Sequence, residues 1–242
     1  MGKISLKERL AKKREELKKG GGGYAYYVIK EGKLRVRHLP VGSEKDWSIE
    51  ATCFWLGPNL GLVISPITIG KKCALMKAYE KLSNSADTED REIAKKLKPK
   101  KKYFSPVIPY KDAKGKELDM EQGPKLLILG SQLTGQLVDL YLDDDDGGDF
   151  TDPKTGYDIK YNRTGKGLND TEYTVMKCDK KPLPKELRGK TWDPEEMLTA
   201  IIPSYEDTKK KLDEFLNLSP EDEGSSEKKR SKKSSKKRNR DL

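Results

Sequence analysis

Residues 24–175 alternate apolar and polar side chains over several short stretches, which predicts a mainly β region. Tyr157–Arg163 has the period of a half-solvated strand, because its tyrosines and isoleucine alternate with charged or amide residues. Leu34–Leu39 alternates as well and places Arg35 and Arg37 on one face of a strand. In both stretches one face is expected to pack into the protein while the other carries charge.

Turn signals and helical spacing predict the other elements. Gly57-Pro58-Asn59 separates two strand-like stretches, 47–56 and 60–64, and predicts a hairpin. Pro106 and Pro109 cannot donate to a sheet ladder, so the aromatic stretch around them predicts an edge or irregular strand. Apolar residues at helical spacing predict helices at 5–19, 71–82, 88–97, the ten or so residues after Leu129, 192–198 and 205–218.

These elements divide the chain into three parts. Residues 1–23 are a basic N-terminal arm that ends in a glycine linker. Residues 24–218 are the core, mainly β with peripheral helices (an α+β fold), into which a small helical subdomain at about 57–100 is inserted. Residues 219–242 are rich in Lys, Arg, Ser and Glu, and this composition predicts a disordered charged tail.

The net charge of +10 is concentrated at the two ends of the chain. Residues 1–19 contain eight Lys/Arg and three Glu, and residues 219–242 contain nine Lys/Arg and five acidic residues. The segment between them is nearly neutral. Any surface of the core that binds an anion must therefore come from the local arrangement of its cations, since bulk charge is absent there.

Several classes of protein are disfavoured by the residue content. Three widely spaced cysteines favour reduced thiols over a disulfide framework. No apolar run approaches the length of a membrane span, so we expect no membrane association. The only histidine, His38, shares a strand face with apolar residues, and no phosphate-binding loop is present. We therefore expect a protein that is not an enzyme. The aspartate-rich stretch at 143–152 favours a solvated loop over a specific cation site.

Basic and aromatic residues occur together in two passages. In the first passage, Lys98–Tyr110, four lysines precede Tyr103 and Phe104. In the second, Lys160 lies between the two tyrosines of the strand at 157–163, and Arg163 and Lys166 follow them. Cations that follow phosphates and rings that stack on bases are what a single-stranded nucleic acid requires. An alternative for either passage alone is that the aromatic residues belong to a buried strand and the lysines are ordinary exposed residues without a binding function.

The order of these pieces resembles the single-stranded-DNA-binding (helix-destabilising) proteins of T-even-type phages. The resemblance runs from about Glu31 to Leu216. It rests on four motifs, of which the last is the most specific: Gly32–Pro40 (GKLRVRHLP), Ile64–Cys73 (ISPITIGKKC), Lys102–Ile108 (KYFSPVI) and Gly148–Gly167 (GDFTDPKTGYDIKYNRTGKG).

The resemblance implies an OB-fold core whose basic cleft holds single-stranded DNA. Tyr103, Phe104 and Tyr173 would be stacking residues, with Tyr110 a further candidate aromatic. The implied phosphate contacts are Arg35, Arg37, Lys71, Lys72, Lys101, Lys102, Lys160, Arg163 and Lys166. The N-terminal arm would contact a neighbouring copy on DNA and so provide cooperativity.

The sequence departs from this family in two places. Family members commonly hold zinc in the subdomain, but the corresponding positions here leave at most two ligands, Cys53 and Cys73, where a closed site needs four. We therefore expect no zinc and no other cofactor, with apolar packing of Phe54, Leu75 and Met76 in its place. The tail, usually acidic in this family, becomes basic from Lys228 onward.

The resulting expectation is a sequence-nonspecific, cooperative single-stranded-DNA-binding protein that acts in bacteriophage DNA replication, recombination and repair. It would work in the host cell cytoplasm at replicating DNA, and its tail is a candidate for recruiting replication or recombination proteins. Two alternatives stay open: a duplex-DNA or RNA packaging protein that acts through its basic termini, and an interaction module that binds no nucleic acid.

Overall fold

A computed structural model of the chain describes residues 26–143, 145, 147–165 and 170–217. The predicted N-terminal arm, Lys166 and the tail from residue 219 lie outside these residues. The described strands are β1 (Tyr26–Tyr27), β2 (Gly32–His38), β3 (Ile49–Trp55), β4 (Leu62–Ile64), β5 (Lys100–Pro109), β6 (Lys125–Leu129), β7 (Tyr157–Thr164) and β8 (Glu172–Lys180). The described α-helices are α1 (Gly57–Leu60), α2 (Ala74–Ser83), α3 (Thr88–Lys96), α4 (Ser131–Leu142), α5 (Pro194–Thr199) and α6 (Tyr205–Asn217).

The strands form one mixed sheet. Its order is β1-β6-β5-β2-β7-β8, and β3 pairs with β4 and β5 off this path. β1 runs parallel to β6, whereas β2 is antiparallel to both β5 and β7, and β8 is antiparallel to β7. The predicted mixture of strands and helices is confirmed. The sheet is not a barrel, since its two end strands do not pair with each other within the described residues.

The stretch around Pro106 and Pro109, predicted as an edge or an irregular strand, does not lie at an edge of the sheet. β5 lies between β6 and β2 in the sheet. β6 pairs with Tyr103–Val107 on one side of β5, β2 pairs with Val107–Pro109 on the other, and β3 is a third partner of this strand. The prolines are tolerated because they lie near the ends of these two short ladders, where the carbonyl of Pro106 still accepts a hydrogen bond from the amide of Leu39 at 3.0 Å.

The chain divides into two compact units. Among the described residues, the first unit comprises residues 26–51 and 101–202, and the second comprises residues 52–100 and 203–217. The second unit thus contains the segment 57–100, which the sequence predicted as an insertion, together with helix α6. No helix among the described residues is both long enough and apolar enough to cross a membrane.

The core of the first unit contains His38 in a buried hydrogen-bond chain. Its Nδ1 lies 2.7 Å from Ser105 Oγ and its Nε2 lies 2.8 Å from the Tyr161 hydroxyl. Ser105 donates its own proton to the Trp47 carbonyl, so Nδ1–H donates to Ser105 and Nε2 accepts from Tyr161. Burial lowers the pKa of His38 to about 3, and Arg37 adds to the effect. The prediction that His38 is a packed residue is confirmed.

The core of the second unit packs residues of β3, β4 and its helices. Phe54, Leu75 and Leu97 are fully buried in one cluster with Cys73, and Met76 packs against it. The predicted apolar packing of Phe54, Leu75 and Met76 is therefore confirmed. Within the described residues, no group of three or more His, Cys, Asp or Glu side chains is arranged to hold a metal ion.

Candidate nucleic-acid interface

One face of the strands β2, β7 and β8 presents a row of polar side chains, which we call the outer face. Side chains on a strand alternate between the two faces of the sheet, and paired residues on neighbouring strands share a face. The pairs on this face are Arg35 with Lys160, Lys33 with Asn162, Asn162 with Thr174, and Lys160 with Met176. The outer face therefore consists of Lys33, Arg35, Lys160, Asn162, Thr174 and Met176.

The outer face is open to solvent and carries more cations than anions. Lys33 and Thr174 are exposed, Met176 is 42% exposed, and Lys160 and Asn162 are half-buried. The opposite faces of the same strands carry Val36, Ile159 and Tyr161, all of which are buried in the core of the first unit. The alternation predicted for β7 thus has its apolar side packed inward. On its polar side Lys160 and Asn162 are partly exposed, whereas Asp158 is buried.

A buried ion-pair network lies beneath the outer face and fixes Arg35. Oδ2 of Asp158 accepts hydrogen bonds from Arg35 Nε at 3.1 Å, from Arg35 Nη2 at 2.7 Å and from the Tyr110 hydroxyl at 2.7 Å. The Arg35 guanidinium also lies 5.0 Å from the centre of the Tyr110 ring. Burial is the largest single influence and opposes the charge on Arg35, but the hydrogen bond and the negative charge of Asp158, with smaller contributions from Cys178 and Tyr110, together raise the pKa of the guanidinium. Arg35 is therefore a charged but positioned member of this face.

Arg37, a predicted phosphate contact, is an internal residue. Its side chain is almost fully buried, with Nη1 donating to the Lys181 carbonyl at 2.8 Å and Nη2 donating to the Asp152 carbonyl at 2.7 Å. A Cβ at Gly156 would lie 2.7 Å from Arg37 Nη2 and 2.4 Å from the Asp152 oxygen. The conspicuous Asp152–Gly156 turn therefore closes over Arg37, which has no surface left for a phosphate.

Cys178 lies beside the cations of the outer face. Burial raises the pKa of its thiol, while the nearby Arg35 and Lys160 act in the opposite direction. The side chain is half-buried, whereas Cys53 and Cys73 are buried. Cys178 is thus the most accessible thiol of the three and provides a chemical reporter at this surface.

The predicted residues Lys101 and Tyr103 form a different cluster. Lys101 Nζ lies 2.9 Å from Glu50 Oε1, and the Tyr103 hydroxyl donates to Glu50 Oε2 at 3.1 Å. The hydrogen bond from Lys101 lowers the pKa of Glu50, so the carboxylate stays ionised beside the two predicted contacts. A phosphate approaching Lys101 would meet that negative charge.

Two predicted aromatics offer little ring surface. Phe104 is fully buried and meets Tyr26 edge to face with ring centres 6.3 Å apart. Tyr110 is also buried, and its hydroxyl is bound to Asp158. Lys102, the residue before Tyr103, is half-buried at the start of β5. Phe104 therefore belongs to the interior of the protein, and Tyr110 forms a wall beneath Arg35.

Arg163 and Tyr173 are brought together, but on the core side of the sheet. They are paired across β7 and β8, and the guanidinium lies 5.9 Å from the ring centre. Arg163 Nη1 donates to the Ile29 carbonyl at 3.2 Å, and Tyr173 packs against the core cluster. Arg163 pairs with Gly32, the first residue of β2, whereas Tyr103 of β5 lies past His38, the last residue of β2. The two predicted basic-aromatic passages therefore lie at opposite ends of β2 and do not meet.

The remaining predicted contacts lie elsewhere. Lys71 and Lys72 are exposed in the second unit, directly after a 3-10 turn at Pro66–Ile69. Lys166 is outside the described residues. Of the predicted basic residues, the structure brings only Arg35 and Lys160 together on the outer face.

A groove on the other side of β8 does not suit phosphate. It has a volume of about 410 Å³ and is lined by Gln136, Asp139, Leu140, Asp143, Val175 and Lys177. The carboxylates of Asp139 and Asp143 in this lining would repel a phosphate.

Two aspartates that follow in the sequence stabilise turns. Asp149 accepts a hydrogen bond from the Thr151 amide at 2.8 Å, and Asp152 accepts one from the Thr155 amide at 2.6 Å. The hydrogen bonds to Asp152 lower the pKa of its carboxyl group.

Four of the six members of the outer face were not among the contacts predicted from the sequence. Lys33 has the same parity along β2 as Arg35, and Asn162 has the same parity along β7 as Lys160, so alternation could have identified both. Thr174 and Met176 join them only through the β7–β8 register.

No protein-family model matches the chain, and a search of curated proteins finds no significant match.

Proposed function

We propose that this chain is a sequence-nonspecific single-stranded-DNA-binding protein, not an enzyme, and that the outer face holds the DNA backbone. The observation that supports the proposal is the cross-strand placement of Lys33, Arg35 and Lys160 on one open face. The buried carboxylate beneath them, Asp158, is already neutralised by Arg35 and Arg37.

A single strand fits this face better than a duplex does. Single-strand binding combines a cationic track with contacts to exposed bases, which Met176 and the amide of Asn162 can provide by packing and hydrogen bonding. Duplex binding by charge alone needs many phosphate contacts at once. The segment between the two basic ends of the chain is nearly neutral. The outer face is therefore a short cationic row and not the broad basic surface that a duplex requires.

The proposal keeps the finer expectations that the resemblance implied. These are an OB-fold origin of the sheet, cooperative coating of DNA through the N-terminal arm, a role in phage replication, recombination and repair in the host cytoplasm, and recruitment of partner proteins by the tail. The arm and the tail lie outside the described residues, so their support is the sequence alone.

A second candidate function is binding of duplex DNA or RNA through the basic termini. The observation that favours it is the charge distribution, since residues 1–19 and 219–242 together carry most of the net charge of +10. Under this alternative the outer face is not needed for binding.

Charge reversal on the outer face separates the two functions. In the full chain, the double substitution Lys33→Glu/Lys160→Glu is expected to weaken binding of oligo(dT) and to reduce the slope of log affinity against log salt by about 1.4, or about 0.7 for each lost contact on a single strand. The measurement is a fluorescence titration with oligo(dT) and with duplex of equal length at several salt concentrations.

The matched control is Lys185→Glu/Lys190→Glu, which changes the net charge equally at two exposed positions away from the outer face. This control should keep nearly the wild-type affinity and slope. Equal effects of the two double substitutions, or binding of duplex as tight as that of oligo(dT), would instead favour the termini.

A further inference from the structure

Trp55 in the second unit is an aromatic side chain exposed on a rigid strand. It is the last residue of β3 and is 51% exposed, more than any other large aromatic side chain among the described residues. Its partner across the hairpin is Leu62 of β4. Tryptophan is enriched at interaction surfaces, because its large ring can be buried on binding while its indole N–H finds a hydrogen-bond partner.

The burial pattern of the hairpin shows that this exposure is local. Phe54 and Val63, which pair with each other, lie in the core cluster of the second unit. The other pair, Cys53 with Ile64, is also buried. Only at the end of the hairpin does an apolar side chain become exposed to solvent, and that side chain is the indole of Trp55.

Hydrogen bonds at the end of the hairpin hold the Trp55 backbone in place. The amide of Leu56 donates to the Gly61 carbonyl at 3.0 Å, and the amide of Gly61 donates to the Gly57 carbonyl at 2.9 Å. A ring presented on such a fixed backbone loses little conformational entropy when a planar ligand stacks on it. The geometry therefore favours Trp55 as a pre-formed stacking platform.

Exposed cations accompany this ring within the same unit. The amide of Thr52, three residues before Trp55, donates to Thr68 Oγ1 at 3.2 Å and so joins β3 to the 3-10 turn at Pro66–Ile69. Lys71 and Lys72 follow that turn and are exposed, and the amide of Lys71 donates back to the Pro66 carbonyl at 3.0 Å. An exposed ring and exposed lysines within one unit match the requirements of a single strand, with bases to stack and phosphates to neutralise.

We infer that Trp55 stacks on a base of bound single-stranded DNA, with Lys71 and Lys72 of the same unit contacting phosphates. This inference rests on the proposed function and assigns a base-stacking residue within the second unit. It also accounts for the exposure of an indole whose burial on binding would be favourable.

Two substitutions and a matched control test the assignment in the full chain. Trp55→Leu keeps an apolar side chain but removes the ring, and it should weaken oligo(dT) binding by about 5- to 150-fold. Trp55→Phe keeps a smaller ring and should reduce the affinity for oligo(dT) by a smaller factor. Tyr205→Leu removes another exposed ring of the same unit, 39% exposed, and should bind like wild type.

A measurement on the unaltered protein avoids any effect on folding. Trp47 and Trp192 are half-buried, so neutral acrylamide quenches Trp55 most efficiently. Saturating oligo(dT) should reduce acrylamide quenching of the tryptophan emission. Unchanged quenching together with wild-type affinity of Trp55→Leu would overturn the inference while leaving oligo(dT) binding intact. Failure of the wild-type chain to bind oligo(dT) would instead overturn the proposed function.

Discussion

Replacement of Asp158 by asparagine is expected to lower the free energy of unfolding by about 3–5 kcal/mol. Asp158 is buried and accepts hydrogen bonds from Arg35 and Tyr110, and its other oxygen lies 3.8 Å from Arg37 Nη1. Arg37 is almost fully buried, so removing the carboxylate leaves a guanidinium without its countercharge in a region of low polarity. Burial already lowers the pKa of Arg37, and Asp158 is the first of the groups that oppose this effect.

Urea unfolding of the full chain measures this loss, and Asp179→Asn provides the control. Asp179 is an exposed aspartate of β8, so its substitution should change the free energy of unfolding by less than about 0.5 kcal/mol. A loss below about 1 kcal/mol for Asp158→Asn would contradict the assignment of the network as a structural ion pair. A large loss would identify Arg37 as a residue of the fold, not of the interface.

The second large effect is acid sensitivity that originates from His38. Its pKa is 6.5 in a solvated chain and about 3 in the folded protein, so the unfolded state binds the proton first as the pH falls. The stabilisation by neutral His38 is therefore complete above pH 6.5 and is lost progressively between pH 6.5 and 3. For one proton, the free energy of unfolding should fall by about 2 kcal/mol between pH 7.5 and 5.0.

Since His38 is the only histidine in the chain, any histidine-range titration of stability belongs to it. The control is His38→Gln, which lacks the titrating group while its amide can still donate and accept hydrogen bonds. The variant will be less stable at every pH, but its free energy of unfolding should change less over this range. Parallel pH profiles for the two proteins would show that His38 does not remain neutral in the fold.

Local patterns in the sequence predicted most of the elements. The alternation of Tyr157, Ile159 and Tyr161 with polar residues gave the correct apolar face for β7, because a period of two is a local property of the chain. It did not predict the burial of Asp158 on the other face. The hairpin around Gly57-Pro58-Asn59 and the helices at 88–97 and 205–218 were predicted for the same reason, with small differences in their ends.

Features that depend on long-range pairing were not accessible from the sequence. Pro106 and Pro109 suggested an edge strand, but β5 is an interior strand with β6 on one side and β2 on the other. Arg37 was expected to contact phosphate because the family resemblance implied it. Its burial results from the Asp152–Gly156 turn, which is distant in sequence and closes over it.

The candidate interface was predicted only in part for the same reason. Arg35 and Lys160 were both identified, but their direct pairing depends on the β2–β7 register. Lys33 was overlooked although its parity placed it on the same face. Trp55 was overlooked because nothing in a short apolar run distinguishes the one ring that is exposed from its buried neighbour Phe54.

Alkylation of Cys178 in the unaltered full chain tests most directly whether the outer face binds single-stranded DNA. Cys53 and Cys73 are buried, so the thiol that reacts with iodoacetamide in the folded protein should be Cys178, close to Arg35 and Lys160. We predict that saturating oligo(dT) slows this reaction severalfold at pH 8.5, whereas duplex of equal length at the same nucleotide concentration leaves the rate near that of the free protein. An unchanged rate in a sample where labelled oligo(dT) is demonstrably bound would contradict the account and would place the DNA on another surface.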